Sequence, residues 1–331
     1  MRILSFEFDE SEAARGLEVF RQFGEEYING YLKPWMYEIE AAVMVSALPK
    51  ENSGDYRPLG VGNVESRLFT AQAVRNIRKE AYEAFWPIQV AVATPAGPQK
   101  LILAVRLHLD SHPDHALIKM DFANAYSEFC RLAGLRAVAA QQNKISDLAP
   151  HVHTDLAARG ELIGLGGERC ETGGYQGKLT TGLIFCLALQ PHLEWAKKKI
   201  NEKIKEANGG GFLNRKDEGM VMANMDDSYI VGPIEIILDV FAELKPRVLK
   251  DLQLKLNEKK SAVYARGEYL LHTRETIKKH RKSVCRDLPI ACLSSEDPET
   301  VKEGEGVGFL LVGVGVGDEK FEKETLSSKV S

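Results

Sequence analysis

Three aspartates carry the strongest chemical signal in the chain. Asp121 ends the apolar run Ala116–Met120. Asp226 and Asp227 sit between two short β-prone runs, Met220–Ala223 and Ser228–Val231. If the first run is a strand lying beside a hairpin made by the other two, the carboxylates gather at one end of a sheet. Like charges held that close repel and shift each other's protonation unless a cation joins them. Two divalent ions roughly 3.5–4 Å apart, held by carboxylates and phosphates, are the usual arrangement for phosphoryl and nucleotidyl transfer. A double Asp in a hairpin is also ordinary turn chemistry, so at the level of these residues both readings stand.

The elements that would position them can be read from periodicity. Residues 10–30 carry apolar residues at helical spacing and end in Asn29-Gly30, a stop signal. Residues 47–63 read as loop, with Pro49, Gly54, Pro58, Gly60 and Gly62, and residues 65–85 as helix. Pro87, Pro95 and Pro98 mark irregular structure before a helical pattern at 99–109. Ala116–Met120 reads as a buried strand and 123–142 as an Ala-rich helix. The glycine-rich stretch 159–177 has few strong propensities; 180–205 is a long helix expected to kink or split at Pro191. Gly209-Gly210-Gly211 mark a turn, a tight hairpin with both acids at its tip follows, and 234–251 return to helix. The charged region 273–304 reads as loop and 306–316 as strand. This order predicts an α+β fold, an antiparallel sheet with helices on one face.

Several segments, in this order from about Tyr56 to Phe321, resemble those of reverse transcriptases of the non-LTR retroelement and group II intron type. Tyr56-Arg57-Pro58-Leu59-Gly60 is similar to the "RPLG" segment of the fingers. Lys119-Met120-Asp121-Phe122-Ala123-Asn124-Ala125-Tyr126 is similar to the motif with an aromatic five positions after the first catalytic Asp. Gly173-Gly174-Tyr175-Gln176-Gly177 with Leu183-Ile184-Phe185 resembles "QG…PLLF". Asn224-Met225-Asp226-Asp227 resembles the "YMDD" hairpin, and Leu254-Lys255-Leu256-Asn257-Glu258-Lys259-Lys260-Ser261 resembles "GLxLNxxKS". Leu311-Val312-Gly313-Val314-Gly315-Val316-Gly317 is similar to the strand pair of the primer grip. Two departures stand out. Lys178-Leu179-Thr180-Thr181 follow Gln176-Gly177 where the family has Asp or Ser, Pro, Leu and Gly, and Asn224 replaces the aromatic.

The resemblance implies a right-hand polymerase fold. Residues 1–115 would be N-terminal helices and fingers, and 116–265 the palm, its antiparallel sheet packed on helices, with a fingers segment inserted at about 131–180. Residues 266–331 would be a connector and primer-grip-like strands. It implies two Mg2+ ions, or Mn2+, on Asp121, Asp226 and Asp227, with Lys260 near the pyrophosphate as a possible general acid. Arg57 and Arg67 would meet the incoming triphosphate, where bidentate arginine suits phosphate oxygens; as exposed arginines they are also ordinary surface residues. Phe122, Tyr126, Gln176 and Gly177 would complete the nucleotide pocket, with Tyr126 as the ring under the sugar that excludes a 2′-hydroxyl. The implied partners are an RNA template, a DNA primer and a deoxynucleoside triphosphate. About ten residues follow Phe321, too few for a helical thumb, so the thumb is expected to be absent or truncated and the chain to belong to a larger polyprotein or a degenerate copy. The two departures keep open a domesticated or catalytically impaired polymerase fold that binds nucleic acid or protein.

Composition bounds these readings. With 44% apolar and 27% charged residues the chain can build a globular core, and a net charge of −4 leaves room only for a local basic groove. Five irregularly spaced cysteines without CxxC point to a reducing, intracellular compartment, nucleus or cytoplasm in a eukaryote. The acidic N-terminus has no apolar core of a signal peptide, and no apolar run is long enough to span a bilayer. The spacing of His272, His280, Cys285 and Cys292 fits no zinc finger. The glycines at 313–317 lack dinucleotide-loop spacing. His151 and His153 read as loop residues, Lys197–Lys205 as the solvated face of a helix, and Arg274–Lys282 as either a phosphate contact or an exposed connector.

Overall fold

The computed structural model describes residues 10–49, 56–157, 162–163, 172–211, 213–214, 217–258, 260–280, 285, 288–289, 308–312, 314–317 and 319–330. At its centre lie four antiparallel strands in the order β5 (Met220–Asn224), β6 (Asp227–Gly232), β3 (Ala116–Met120) and β7 (Ala262–Tyr264). Strand β3 pairs with β6 from Ala116 opposite Gly232 to Met120 opposite Ser228. Its other edge pairs with β7, so the strand that ends at Asp121 is central and nearly wholly buried.

The pleat divides the core. Ala116, Ile118 and Met120 face one cluster with Ile230, Val221, α9 (Leu179–Ala207) and α10 (Ile234–Leu252). Leu117 faces the other with Tyr229, Val231, Met222 and residues of α5 (Gly97–Ser111) and the ribbon β8 (Gly308–Leu311) and β9 (Val314–Gly317). Each fully buried Leu, Ile or Phe contributes roughly 1.5–3 kcal/mol of transfer free energy. The sheet is therefore covered on both faces, not on one as periodicity suggests. That is why β3 shows a continuous apolar run instead of alternation.

A second sheet, in the order β2 (Tyr56–Val61), β1 (Val43–Pro49), β4 (Leu162–Ile163), occupies the stretch that reads as loop at 47–63. The prolines mislead there. Pro58 pairs with Ala47 on β2, an edge strand, where a residue with no N–H to donate is tolerated. Helices α1 (Glu10–Ile28) and α2 (Pro34–Glu40) precede this sheet, and α3 (Val64–Asn76) and α4 (Arg78–Phe85) follow it.

Three other expectations change. The helix expected over 123–142 is broken into α6 (Ala125–Glu128) and α7 (Arg131–Ala139). Phe122 bridges to Leu256, Asn124 is left-handed at φ 47°, and Cys130 donates its backbone N–H to Leu252, so long-range backbone bonds win over local propensity. Helix α9 runs through Pro191 without splitting, supported by packing against α7, α10, α3 and β5. Part of the supposed loop at 273–304 is helical, as α11 (Leu270–Lys279), which buries Thr273 and Ile277; most of the remainder lies outside the described residues. His151 is not a loop residue: it is buried on α8 (Ala149–Ala157), 3.3 Å from the Thr70 hydroxyl. The chain closes with α12 (Glu319–Val330). Among the described residues no helix is long and apolar enough to cross a membrane.

Candidate active site

Asp121 follows β3 directly, and its backbone is fastened on both sides. Its N–H donates to the Ser261 hydroxyl at 3.1 Å, and its carbonyl accepts from Asn257 N–H at 2.8 Å. Ser261 in turn donates to the Asn257 carbonyl, and Ala123 N–H donates to Lys255 O at 2.9 Å. The Leu254–Ser261 motif thus acts on Asp121 through the main chain, a role its sequence does not reveal.

The β5–β6 hairpin carries the other acids, but only one is at the tip. Asn224 pairs with Asp227, which leaves Met225 and Asp226 as a two-residue loop. Met225 has φ 62° and Asp226 has no positive φ, the pattern of a type II′ turn that normally takes glycine first. A left-handed Met costs about 1–2 kcal/mol. The Gln89 side chain holds it there: its amide donates to Met225 O at 3.0 Å and its oxygen accepts from Met225 N–H at 2.8 Å. Gln89 is fully buried, and its neighbours bond to Ala223 on the β5 edge in both directions at 2.8 Å.

With this register Asp121 and Asp227 end neighbouring strands on the face shared by Leu117 and Tyr229. Lys119, on that same face, meets Asp227 at 3.4 Å. The Tyr126 hydroxyl approaches Asp226 Oδ1 at 3.4 Å, and its ring packs on Phe185 at 5.0 Å. Burial is the main force pushing the Asp226 carboxyl above its ordinary range. Asp227 and, less, Asp121 add to the rise, against hydrogen bonds from its own backbone and Tyr126. Burial, then the charge of Asp226, pushes the Tyr126 hydroxyl and the Cys186 thiol up as well.

All three aspartates line one open cleft of about 1160 Å³, together with Lys119, Phe122, Tyr126, Gln176, Gly177, Asn257 and Lys260. Lys260 is exposed at its rim. Gln176 and Gly177 reach the cleft beside β2: Gly60 N–H donates to Gln176 O at 3.0 Å, and a Cβ on Gly177, at φ 105°, would come 2.8 Å from Gly60 O. Arg67 does not line this cleft itself. It is exposed on α3 and lines a small adjoining pocket with Glu40 and Gly62, which shares Gly177 and Lys178 with the cleft. Arg57 lies on β2, and its side chain falls outside the described residues. Cys292, of the histidine and cysteine set whose spacing fits no zinc finger, is also outside them.

Lys178, the departure after Gln176-Gly177, forms an ion pair with Asp155 of α8 in which the two side chains are only 16% and 4% exposed. Thr180 donates to the other Asp155 oxygen at 3.2 Å. The residues that replace the family pattern are therefore built into a buried network. Sequence reasoning missed Gln89, which lies 136 residues from its partner, and also Asp155 and Lys119; nothing local marks them.

Hard carboxylate oxygens of this kind suit Mg2+ or Mn2+, and the raised Asp226 carboxyl is what a divalent ion would reverse. The three aspartates share the cleft without converging as tightly as a metal set; among the described residues, only His108, His112 and His115 do so.

No family model matches the sequence, and no curated protein does. Among solved structures, apo telomerase from Candida tropicalis is similar at 13% identity and TM-score 0.49, over 76% of this chain and 50% of that one. The same telomerase truncated from its C-terminal domain matches at 15% identity and TM-score 0.46, over 68% of this chain and 50% of that one. Telomerase from Candida albicans in complex with a fragment of telomeric RNA matches at 12% and 0.47, over 68% and 43%. This chain spans half or less of the length of each.

Proposed function

We propose that the chain is the fingers–palm part of an RNA-directed DNA polymerase of the non-LTR retroelement or group II intron kind, working by template-directed nucleotidyl transfer. The observation that carries this reading is that Asp121 and the Asp226-Asp227 pair, from distant segments, line one open cleft beside Tyr126, Gln176, Gly177 and Lys260. Residues 1–115 and the insertion at about 131–180 form the fingers, a division supported by the pairing of β1 with both β2 and β4. Residues 116–265 form the palm, and 266–331 a connector with a primer-grip-like ribbon.

In this reading Asp121, Asp226 and Asp227 hold two divalent ions, Mg2+ or Mn2+. When bound, these activate a primer 3′-hydroxyl and neutralise the triphosphate. The chain's own groups do the rest. Ser261 and Asn257 keep Asp121 in place, and Gln89 keeps the hairpin tip from relaxing. Tyr126 stands under the sugar, where its ring excludes a 2′-hydroxyl. The Gln176-Gly177 backbone supports the base, and Lys260, exposed beside the cleft, meets the pyrophosphate. Other segments of a larger polyprotein would supply a thumb.

The test is primer extension on an RNA template with Mg2+ and deoxynucleoside triphosphates, with Asp226→Ala as control. Failure of any longer form carrying a thumb to extend the primer sinks the reading. A second reading, a catalytically impaired polymerase fold that binds nucleic acid or protein, is favoured by Asn224 and by the looser gathering of the aspartates. Titration with Mg2+ or Mn2+ separates the two: a metal-binding cleft raises the melting temperature by mass action, an idle one leaves it unchanged.

A further inference from the structure

A different cluster lies at the far end of β3 from the cleft. His108, His112 and His115 are spaced four and three residues apart. His108 is in the last turn of α5, His112 is its C-cap, and His115 precedes β3. Pro113 cannot continue the helix, and a turn in which His115 N–H donates to His112 O at 3.1 Å brings the third ring back over the first two. Ring centroids stand 4.8 Å apart for His108 and His112, 4.6 Å for His112 and His115, and 5.2 Å for His108 and His115. One nitrogen from each ring lies within 4.8 Å of the other two.

The hydrogen bonds fix much of the protonation. His112 Nδ1 lies 3.2 Å from the His108 carbonyl, which can only accept, so Nδ1 carries the proton and Nε2 presents its lone pair. A ring N–H donated to a backbone carbonyl is the usual support of a metal-ligating histidine. His108 Nε2 and His115 Nδ1 face each other at 3.0 Å with one proton between them. Burial, then repulsion from the neighbouring rings, pushes His108 and His115 down to about 4.

We propose that His108, His112 and His115 form a binding site for a divalent transition-metal ion of the zinc class, which clamps the turn between α5 and β3. Metal–nitrogen bonds of about 2.0–2.1 Å in tetrahedral geometry set ligand nitrogens roughly 3.3 Å apart. The His108–His115 pair is already near that spacing, and His112 has only to close from within 4.8 Å. On binding, the shared proton leaves the facing nitrogen and the opposite nitrogen of the same ring takes one up, so three neutral ligands remain. Asp114, exposed between His112 and His115, or water can take the fourth position. Imidazole nitrogens favour Zn2+, Co2+, Ni2+ or Cu2+ over the Mg2+ that suits the carboxylate cleft, so the site is independent of the polymerase reading. Its place is one strand away from Asp121, where a clamp would set how β3 enters the sheet.

The test is Co2+ titration of tag-free protein in excess Mg2+, read by visible absorption and by melting temperature. The expected result is one Co2+ per chain with a tetrahedral spectrum, displaced by Zn2+. The melting temperature should rise by about 5 °C at a metal concentration near 100 times Kd. His112→Gln, at a half-buried position where the fold should survive, is expected to abolish both signals, and Asp226→Asn to leave them intact. No spectrum with the wild type, binding that survives His112→Gln in a folded protein, or loss of binding in Asp226→Asn would each overturn the proposal. Circular dichroism of each variant separates loss of the site from loss of the fold.

Discussion

Replacing Gln89 with Leu removes the side-chain amide that holds the hairpin tip, while keeping a side chain of similar size. Gln89 is 0% exposed and makes two hydrogen bonds, of 2.8 and 3.0 Å, to the N–H and carbonyl of Met225. Each such bond contributes about 1 kcal/mol net, and each Met225 group left unpaired adds a penalty toward about 1–3 kcal/mol when water cannot reach it. The tip borders an open cleft, so water partly compensates and the low end applies. Release of the left-handed Met225 at φ 62° returns about 1 kcal/mol. The net expectation is a loss of about 2–3 kcal/mol. Native-state hydrogen exchange is the suitable assay, because it reads the Met225 and Asp226 amides individually and does not require the 331-residue chain to unfold in two states. Exchange at Met225 should accelerate at least tenfold, with α10 amides less affected, and any polymerase activity should fall with it. Unchanged exchange at Met225 together with a stability loss under about 1 kcal/mol would refute the clamp.

Further outcomes follow from the same geometry. Asp155→Ala strands Lys178 in a site where its side chain is 16% exposed, and should cost about 3–5 kcal/mol by chemical denaturation; loss below 1 kcal/mol would mean the pair is solvated. Lys178 and His151 with the hydrogen-bond donors Lys178 and Thr180 outweigh burial and hold the Asp155 carboxyl below its ordinary 3.8. A depressed carboxylate contributes stability above its unfolded value and loses it as pH falls through its lower folded value. Wild type should therefore lose stability below about pH 4 more steeply than Asp155→Asn, as a pH series of melting curves would record. Gly177→Ala meets Gly60 O at 2.8 Å with φ 105°, so thermal melting should register a loss of at least about 1 kcal/mol. Ser261→Ala removes the hydroxyl that accepts from Asp121 N–H, and should cost about 1 kcal/mol but lower primer extension disproportionately. Tyr126→Val should raise ribonucleotide incorporation relative to deoxynucleotide in the same assay; unchanged discrimination would remove Tyr126 from the sugar site.

Much of the candidate site is legible in the chain alone, because the signals are local. An apolar run ending in Asp121, two β-prone runs around Asp226-Asp227, and the spacing of Tyr126 from Asp121 each depend on a few neighbouring residues. Strand β3, the β5–β6 hairpin and helix α10 accordingly fall where periodicity puts them. What only the tertiary structure decides is long-range. Prolines that mark a loop sit on an edge strand because β1 supplies the pairing. The helix expected after Asp121 breaks because Leu252, Lys255 and Leu256 take its backbone bonds. Pro191 is carried inside α9 by packing on several sides. Arg67 reads as a triphosphate contact, and α3 sets it in a small pocket that shares Gly177 and Lys178 with the cleft. Gln89, Ser261 and Asp155 act on partners 136, 140 and 23 residues away. No local pattern encodes such distances, since a buried amide or hydroxyl is chosen by the unpaired backbone group it meets only once the chain has folded.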